Sequence, residues 1–293
     1  MKVIITIPAY NEEQTIETVI KDIKEVMDKT KFDFKTLVID DGSTDKTSEV
    51  SKHAGAEVFS HPHNLGLAET FRTEMKKALE YNPDIIVHTD ADGQYKAHDI
   101  PRLIEPIIKG KADLVLGSRF KGDIEHMPLT KKLGNKAFSK VISNITKKRI
   151  SDSQTGFRAF TKQVAQIEIV SNHTYTQEQV IRAIKKKFRL VEVPIYFAKR
   201  KDKSRLISSP FGYAIKAWIN ILRIYRDYEP LKFFGIFGGL FFSTGFIVGL
   251  FILYTLLMTG AVGGLPRVLL SILLITVGVQ IALFGFLADM VKR

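Results

Sequence analysis

Over its first 120 residues the chain alternates short runs of Val, Ile and Leu with longer stretches in which apolar residues recur every three or four positions. The short runs at 2–7, 35–39, 85–89 and 113–116 predict strands, with a weaker one at 57–60. Residues 12–27, 46–53, 68–81 and 100–109 predict helices between them. This is the pattern of an α/β domain with a mainly parallel sheet, in which ligands gather at the carboxyl edge of the strands. Beyond residue 120 the pattern loosens into a basic helix at 129–147, a loop leading to Thr155-Gly-Phe-Arg-Ala-Phe160, a helix at 176–187 and a strand at 189–197.

The last third changes character. Pro210 opens a stretch with Phe211, Ala214, Ile215, Trp218, Leu222 and Tyr225 on one helical face and Lys216, Asn220, Arg223 and Asp227 on another. A helix packed on the domain would show the same two faces, but the long apolar run that follows favours an interfacial helix with Trp218 at headgroup depth. Next, 34 residues without a charge separate Lys232 from Arg267, and 21 more run from 268 to 288. Either run is long enough to cross about 30 Å of hydrocarbon at about 1.5 Å per helical residue, which excludes a wholly soluble protein. The expected organisation is an α/β domain at 1–208, a juxtamembrane helix at 209–232 and a transmembrane hairpin at 233–293, with spans near 233–258 and 268–288.

Charge follows the same division. Residues 1–179 carry 26 basic and 26 acidic side chains, 180–232 carry 14 and 4, and 233–293 carry 3 and 1, so the net +12 lies mostly just before the apolar runs. That position favours anionic headgroups or a lipid phosphate as the partner over nucleic acid, for which the stretch contains no module. The absence of cysteine excludes disulfides, zinc thiolates and thiol nucleophiles and fits a reducing compartment. The apolar start is too short for a signal peptide, and Lys232, Lys292 and Arg293 outnumber the lone Arg267. A multi-pass protein of the cell membrane is therefore expected, with the α/β domain and both termini cytoplasmic. Gly235 with Gly239 and Gly245 with Gly249 give small-xxx-small spacing on the first span, and Gly278 and Gly285 lie on the second. Such spacing serves either close packing within the hairpin or packing between subunits of a homo-oligomer.

Three predicted strands end in acids. The first runs into Pro8-Ala-Tyr-Asn-Glu-Glu13, the second into Asp40-Asp-Gly-Ser-Thr-Asp45 and the fourth into Thr89-Asp-Ala-Asp-Gly-Gln94. A dinucleotide-binding turn would carry glycines in place of the first of these. Paired carboxylates suit the hydroxyls of a ribose or the N–H of a base, while Asp90, Asp92 and Gln94, two residues apart on extended chain, can converge on a hard divalent cation. A solvated acidic turn explains one such motif alone, but not three in sequence order.

PAYNEE, DDGSTD, DADGQ, Gly117-Ser-Arg119 and Thr155-Gly-Phe-Arg158, in this order, resemble glycosyltransferase family 2 with the GT-A fold, over roughly residues 1–232. The nearest group is the polyprenyl-phosphate sugar synthases, such as dolichyl-phosphate mannose synthases and bactoprenyl or dolichyl glucosyltransferases. The resemblance implies that Pro8, Tyr10, Glu12 and Asp41 line the nucleotide pocket, with Asp90 and Asp92 close to the sugar diphosphate. It implies that Asp90, Asp92 and Gln94 hold Mg or Mn, that Arg119 sits near the phosphates, and that Arg200 and Ser204 approach a lipid phosphate. Asp40 and Asp45 suit the turn and a helix cap equally well. The chain departs from the family where Lys131 and Lys132 stand in place of an arginine, and where Glu69 and Met75 replace small residues. The only tryptophan, Trp218, lacks the Q-x-x-R-W context of processive synthases, which argues against polymer synthesis.

The expected reaction is an inverting, metal-dependent transfer of one hexose to dolichyl or another polyprenyl phosphate, GDP-mannose being favoured as donor beside UDP-glucose and UDP-GlcNAc. A lipid monophosphate, with a second pKa of about 6, already presents an anionic oxygen and needs little help from a base. Glu178 is the candidate should one be needed, with a plain structural role as the alternative. His61 and His63 read as a solvated loop. Two competing readings keep the donor site: transfer to a glycolipid or polysaccharide hydroxyl, and a non-catalytic nucleotide-sugar-binding membrane scaffold.

Overall fold

A computed structural model describes residues 1–170, 175–199, 210–262 and 264–291, with only the backbone of 210–217. In chain order the elements are β1 (Lys2–Ala9), α1 (Ile16–Asp28), β2 (Asp33–Asp40), α2 (Thr47–His53), β3 (Glu57–Ser60), α3 (Leu67–Glu80), β4 (Ile85–His88), α4 (Ile100–Ile108) and β5 (Leu114–Ser118). They continue with α5 (Leu129–Thr146), β6 (Arg158–Thr161), α6 (Lys162–Ala165), α7 (Thr176–Lys185), β7 (Leu190–Pro194), α8 (Pro210–Tyr228), α9 (Pro230–Thr259) and α10 (Leu265–Val291).

The seven strands form one sheet in the order β3-β2-β1-β4-β6-β5-β7. All neighbours are parallel except β6, which runs antiparallel to both β4 and β5. Val3, Ile4, Ile5 and Ile7 of β1 are fully buried, as a continuous apolar run in a sheet covered on both faces should be. On one face α1 lays down Ile16, Val19, Ile20, Ile23 and Met27 at helical spacing, joined in the core by Ile100, Leu103 and Ile104 around α4. The fold is a mainly parallel α/β sheet of the GT-A type.

Two sequence expectations change and one strand is added. The added strand is β6, whose four residues, Arg158 among them, carry no apolar alternation to read. The strand expected to reach residue 197 ends at Pro194, and Phe197 instead makes isolated bridges to Tyr95 and Ile124. The helix expected from residue 12 starts at Ile16, after a turn that places Asn11 at φ 55.

The chain divides into two compact units, Met1–Pro210 and Phe211–Arg293. In the second, α9 and α10, of 30 and 27 residues, are long and apolar enough to cross a membrane. They pack closely on one another: a Cβ at Gly245 would lie 2.8 Å from Leu274 Cβ, one at Gly278 would lie 2.6 Å from the Phe242 nitrogen, and Ser271 Oγ donates to the Gly245 carbonyl at 2.7 Å. Gly235 and Gly239 meet nothing within 4 Å. Of the two uses expected for these glycines, close packing inside the hairpin is therefore the one seen for Gly245, Gly278 and Gly285. Trp218 on α8 is 62% exposed.

Candidate active site

The acidic strand ends meet at the carboxyl edge of the sheet, where backbone and short polar side chains lace the turns together. Asn11 N–H donates to Ser43 Oγ at 2.9 Å, Asn11 Oδ1 accepts from Thr44 N–H at 2.8 Å, and Glu12 N–H donates to Thr47 Oγ1 at 2.8 Å. Tyr10 is left 40% exposed, Pro8 is half-buried and Glu12 Oε2 accepts from Thr15 Oγ1 at 3.1 Å. Asp40 accepts from Ser43 N–H at 3.0 Å and Asp45 from Thr47 N–H at 2.9 Å, so both serve the turn and the start of α2.

Asp41 is buried, and its carboxylate accepts from the Leu65 and Gly66 amides at 2.9 Å each and faces His61 Nδ1 at 2.8 Å. It anchors the loop leading into α3. His61 is correspondingly not solvated: its Nε2 lies 2.9 Å from Thr73 Oγ1 and its side chain is 10% exposed, whereas His63 is open. The loop passes so close that a Cβ at Gly42, which has φ +70, would fall 2.4 Å from the His63 carbonyl carbon.

Asp90 stands just beyond β4. A Cβ at Gly156, on the approach to β6, would lie 2.7 Å from Asp90 Oδ1 and 2.9 Å from Oδ2, so the carboxylate rests directly on a bare backbone. Gly156 N–H in turn donates to Tyr95 Oη at 3.0 Å. Burial, and then the charge of Asp92, push the Asp90 carboxyl up to about 6. Asp92 Oδ1 accepts from Gln94 N–H at 3.1 Å, and the Gln94 side-chain amide donates to the Ala198 carbonyl at 3.0 Å, leaving the Gln94 carbonyl oxygen as its only group suited to a cation. Among the described residues no three His, Asp or Glu side chains converge as a complete metal cage. The Asp90 carboxylate, set in a cradle a methyl group would fill, with Asp92 two residues on, fits a divalent cation that draws its remaining ligands from a bound diphosphate and water. Beside this turn a cavity of about 70 Å³ is lined by Thr15, Thr18, Asp92, Gly93, Lys96 and Lys199.

Arg119 follows β5 and is 4% exposed. Asp152 grips it through Nε at 2.7 Å and Nη2 at 2.8 Å and also accepts from its backbone N–H at 3.1 Å, while the guanidinium lies 5.2 Å from the Phe197 ring centre. Burial lowers its pKa, but Tyr95 and the paired Asp152 outweigh that and hold it above the usual arginine value. Glu178 is buried at the start of α7, where it accepts from Val170 N–H at 3.0 Å and from Arg182 Nε at 2.6 Å. Lys131 and Lys132 lie in the first turn of α5, Lys132 at the surface. Arg200 and Ser204 lie outside the described residues.

Several buried polar groups were not singled out from sequence. Glu74 Oε2 and Tyr175 Oη stand 2.6 Å from the two ring nitrogens of His88, all three side chains being buried, and His88 Nε2 is 4.0 Å from Asp90 Oδ1. Arg158, fully buried, donates to Gln179 Oε1 at 2.8 Å and to the Thr155 and Thr176 carbonyls, with its guanidinium 5.3 Å from the Tyr175 ring centre. Burial lowers its pKa. Only Arg158 had a sequence signal, as the last residue of Thr155-Gly-Phe-Arg158.

Residues 4–167 match the family model for glycosyl transferase family 2. A Methanococcus voltae protein named UDP-N-acetylglucosamine–dolichyl-phosphate N-acetylglucosaminyltransferase is 34% identical over 212 residues, covering 64% of this chain and 82% of the relative. A dolichyl-phosphate hexose transferase of Haloferax volcanii is 31% identical over 210 residues, covering 70% and 87%. Among solved structures, glucosyl-3-phosphoglycerate synthase from Mycobacterium tuberculosis, in complex with Mn2+ and UDP-glucose, matches with a TM-score of 0.61 at 19% identity, covering 76% of this chain and 78% of that one. The chain belongs to glycosyltransferase family 2. It is an enzyme that transfers glycosyl groups.

Proposed function

We propose that this enzyme moves one hexose from a nucleotide sugar to a polyprenyl phosphate in the membrane, with inversion at the anomeric carbon. The observation that carries the reading is one chain's possession of both an acidic cradle, Asp90 seated on Gly156 next to Asp92, and two helices long and apolar enough to span a bilayer. The names of the two archaeal relatives, both dolichyl-phosphate transferases, support the acceptor class.

Asp90 and Asp92, with the Gln94 carbonyl, would hold Mg or Mn, which when bound supplies positive charge against the diphosphate leaving group. Gly156 and Tyr95 fix the position of Asp90. Arg119, immobilised by Asp152, contributes a second positive charge that needs no reorganisation as the diphosphate departs. Tyr10 presents an open ring to the base, while Pro8, Glu12 and Asp41 shape the turns around it. Lys131 and Lys132, with Arg200 and Ser204, receive the acceptor phosphate. That phosphate arrives anionic near neutral pH, so the engagement of Glu178 by Val170 and Arg182 costs the reaction nothing. The same engagement disfavours a hydroxyl acceptor, which would need a free base.

In this reading residues 1–208 work at the cytoplasmic face, 209–232 lie in the interface and 233–293 form the anchor. Membranes holding the full chain, given labelled GDP-mannose, UDP-glucose or UDP-GlcNAc with dolichyl phosphate and Mg or Mn, should move one label into organic solvent. Asp92→Ala should abolish that transfer. Transfer undiminished by a divalent-ion chelator, or label appearing only in a water-soluble glycan, would contradict the proposal.

A further inference from the structure

The last strand, β7, carries one acid, Glu192, between Val191 and Val193, which turn to the other face of the sheet and pack into the core. The Glu192 side chain is 4% exposed, and a carboxylate so far from water is unfavourable unless donors surround it. Oε1 accepts from Ser151 N–H at 2.8 Å, Ser151 Oγ at 2.9 Å and Asp152 N–H at 3.0 Å, and Oε2 faces Lys121 Nζ at 2.9 Å. Ser151 Oγ also lies 2.6 Å from Oγ of Ser118, the residue before Arg119. The pairing of β7 with β5 sets Glu192 opposite Leu116 and Pro194 opposite Ser118, so the acid stands close to the end of β5 from which Arg119 leaves. A charge balance alone is met by Lys121 at Oε2. The donors on Oε1 do something further: they fix two consecutive residues of the loop between α5 and β6, and the second of these is Asp152, the partner of Arg119.

We propose that Glu192 is a positioning residue for Arg119. By gripping the Ser151 and Asp152 amides it fixes the backbone from which the Asp152 carboxylate projects, and that carboxylate, bonded at Nε and Nη2, aims the guanidinium. The inference rests on the role given above to Arg119 at the departing diphosphate and adds a residue on which that role depends. Aspartate has a short side chain with two torsions, so a small shift of the 151–152 backbone passes almost undiminished to the carboxylate and on to Arg119. A positive charge held in place stabilises the transition state more than one that must be reoriented, so such a shift acts on turnover before it acts on binding.

The test uses the full-length enzyme, with kcat and KM measured for transfer to dolichyl phosphate on protein shown by thermal melts to be folded. Glu192→Asp keeps the charge but shortens the reach by one methylene, and should lower kcat at least about tenfold while the KM for the nucleotide sugar changes little. Glu192→Gln keeps an acceptor for the two amides and should recover most of that loss. In an Arg119→Lys background, where the two-point geometry is already gone, Glu192→Asp should lower kcat by less than about a further twofold. Should Glu192→Asp fail to fold, Ser151→Ala, which removes one donor to Oε1, enters the same cycle with an expected loss of about threefold. Wild-type kcat in the folded variant, no recovery with Glu192→Gln, or losses that multiply in the double variant each overturn the positioning role and leave that of Arg119 standing. Undiminished kcat in Arg119→Lys overturns both.

Discussion

The carboxylate of Asp90 rests against Gly156, whose missing side chain is the space that Asp90 occupies: a Cβ there would lie 2.7 Å from Oδ1 and 2.9 Å from Oδ2. Asp90 follows a parallel strand and Gly156 precedes the one strand that runs antiparallel between its neighbours, so the reversal in sheet direction brings the two together. Gly156→Ala should therefore act on Asp90 before it acts on the fold. The expected result is a loss of about 100-fold in kcat, the order produced by misplacing a catalytic group by about 1 Å, with a weakened response to metal and a nearly unchanged melting temperature. Steady-state kinetics at several Mg and Mn concentrations, beside thermal melts, would check it.

Arg119 and Asp152 form a buried bidentate pair, the side chains 5% and 0% exposed. Removing one partner strands the other's charge away from water. Asp152→Ala should lower stability by about 3 to 5 kcal/mol. Arg119→Lys keeps the charge but loses the two-point geometry, and should lose activity even under conditions where it remains folded. Chemical denaturation of both variants in detergent, with turnover measured below the transition, separates the two effects.

Asp113 and Arg189 join β5 to the start of β7 through a second two-point contact, 2.9 Å at Nε and 2.7 Å at Nη2. Hydrogen bonding to Arg189 holds the Asp113 carboxyl below its ordinary value. A carboxyl whose folded pKa is depressed adds stability that is fully present above its unfolded value near 3.8 and is lost as pH falls through the lower folded value. Arg189 is 56% exposed, so solvent screening keeps the contribution small. Asp113→Asn should thus destabilise the protein at neutral pH, and melts taken from pH 7 down to the acid limit should show the gap to wild type closing below the ordinary carboxylate range.

The glycines of the hairpin should divide into two groups. Gly278→Leu and Gly245→Leu drive a side chain into the facing helix and should lower the melting temperature in detergent. Gly235→Ala and Gly239→Ala, with nothing within 4 Å, should be tolerated. Parallel melts of the four variants would test this.

What could be read in the sequence was whatever lay contiguous in it. The acidic ends of β1, β2 and β4 are runs of adjacent residues, so their shared edge followed once the α/β alternation was recognised. Arg119 and Asp152 are 33 residues apart, and His88 and Tyr175 are 87 apart, so no local pattern announces that they touch. His61 looked like a loop residue because its neighbours are polar, yet Asp41, 20 residues earlier, draws it inward. β6 escaped because four residues containing a buried arginine carry no readable alternation. Glu178 was readable as an acid but not as one already engaged, since Val170 meets it through a backbone amide, which every residue type offers alike.

The central claim is that the sugar ends on a membrane-bound phosphate. Its most direct test is mass spectrometry of the solvent-extractable product formed by the full-length protein from dolichyl phosphate and the accepted nucleotide sugar, with the anomeric linkage assigned by NMR. The account predicts dolichyl phosphate carrying one sugar residue in the inverted configuration, absent with Asp92→Ala. A product with retained configuration, a ladder of added sugars, or unchanged dolichyl phosphate while the donor is consumed would contradict it.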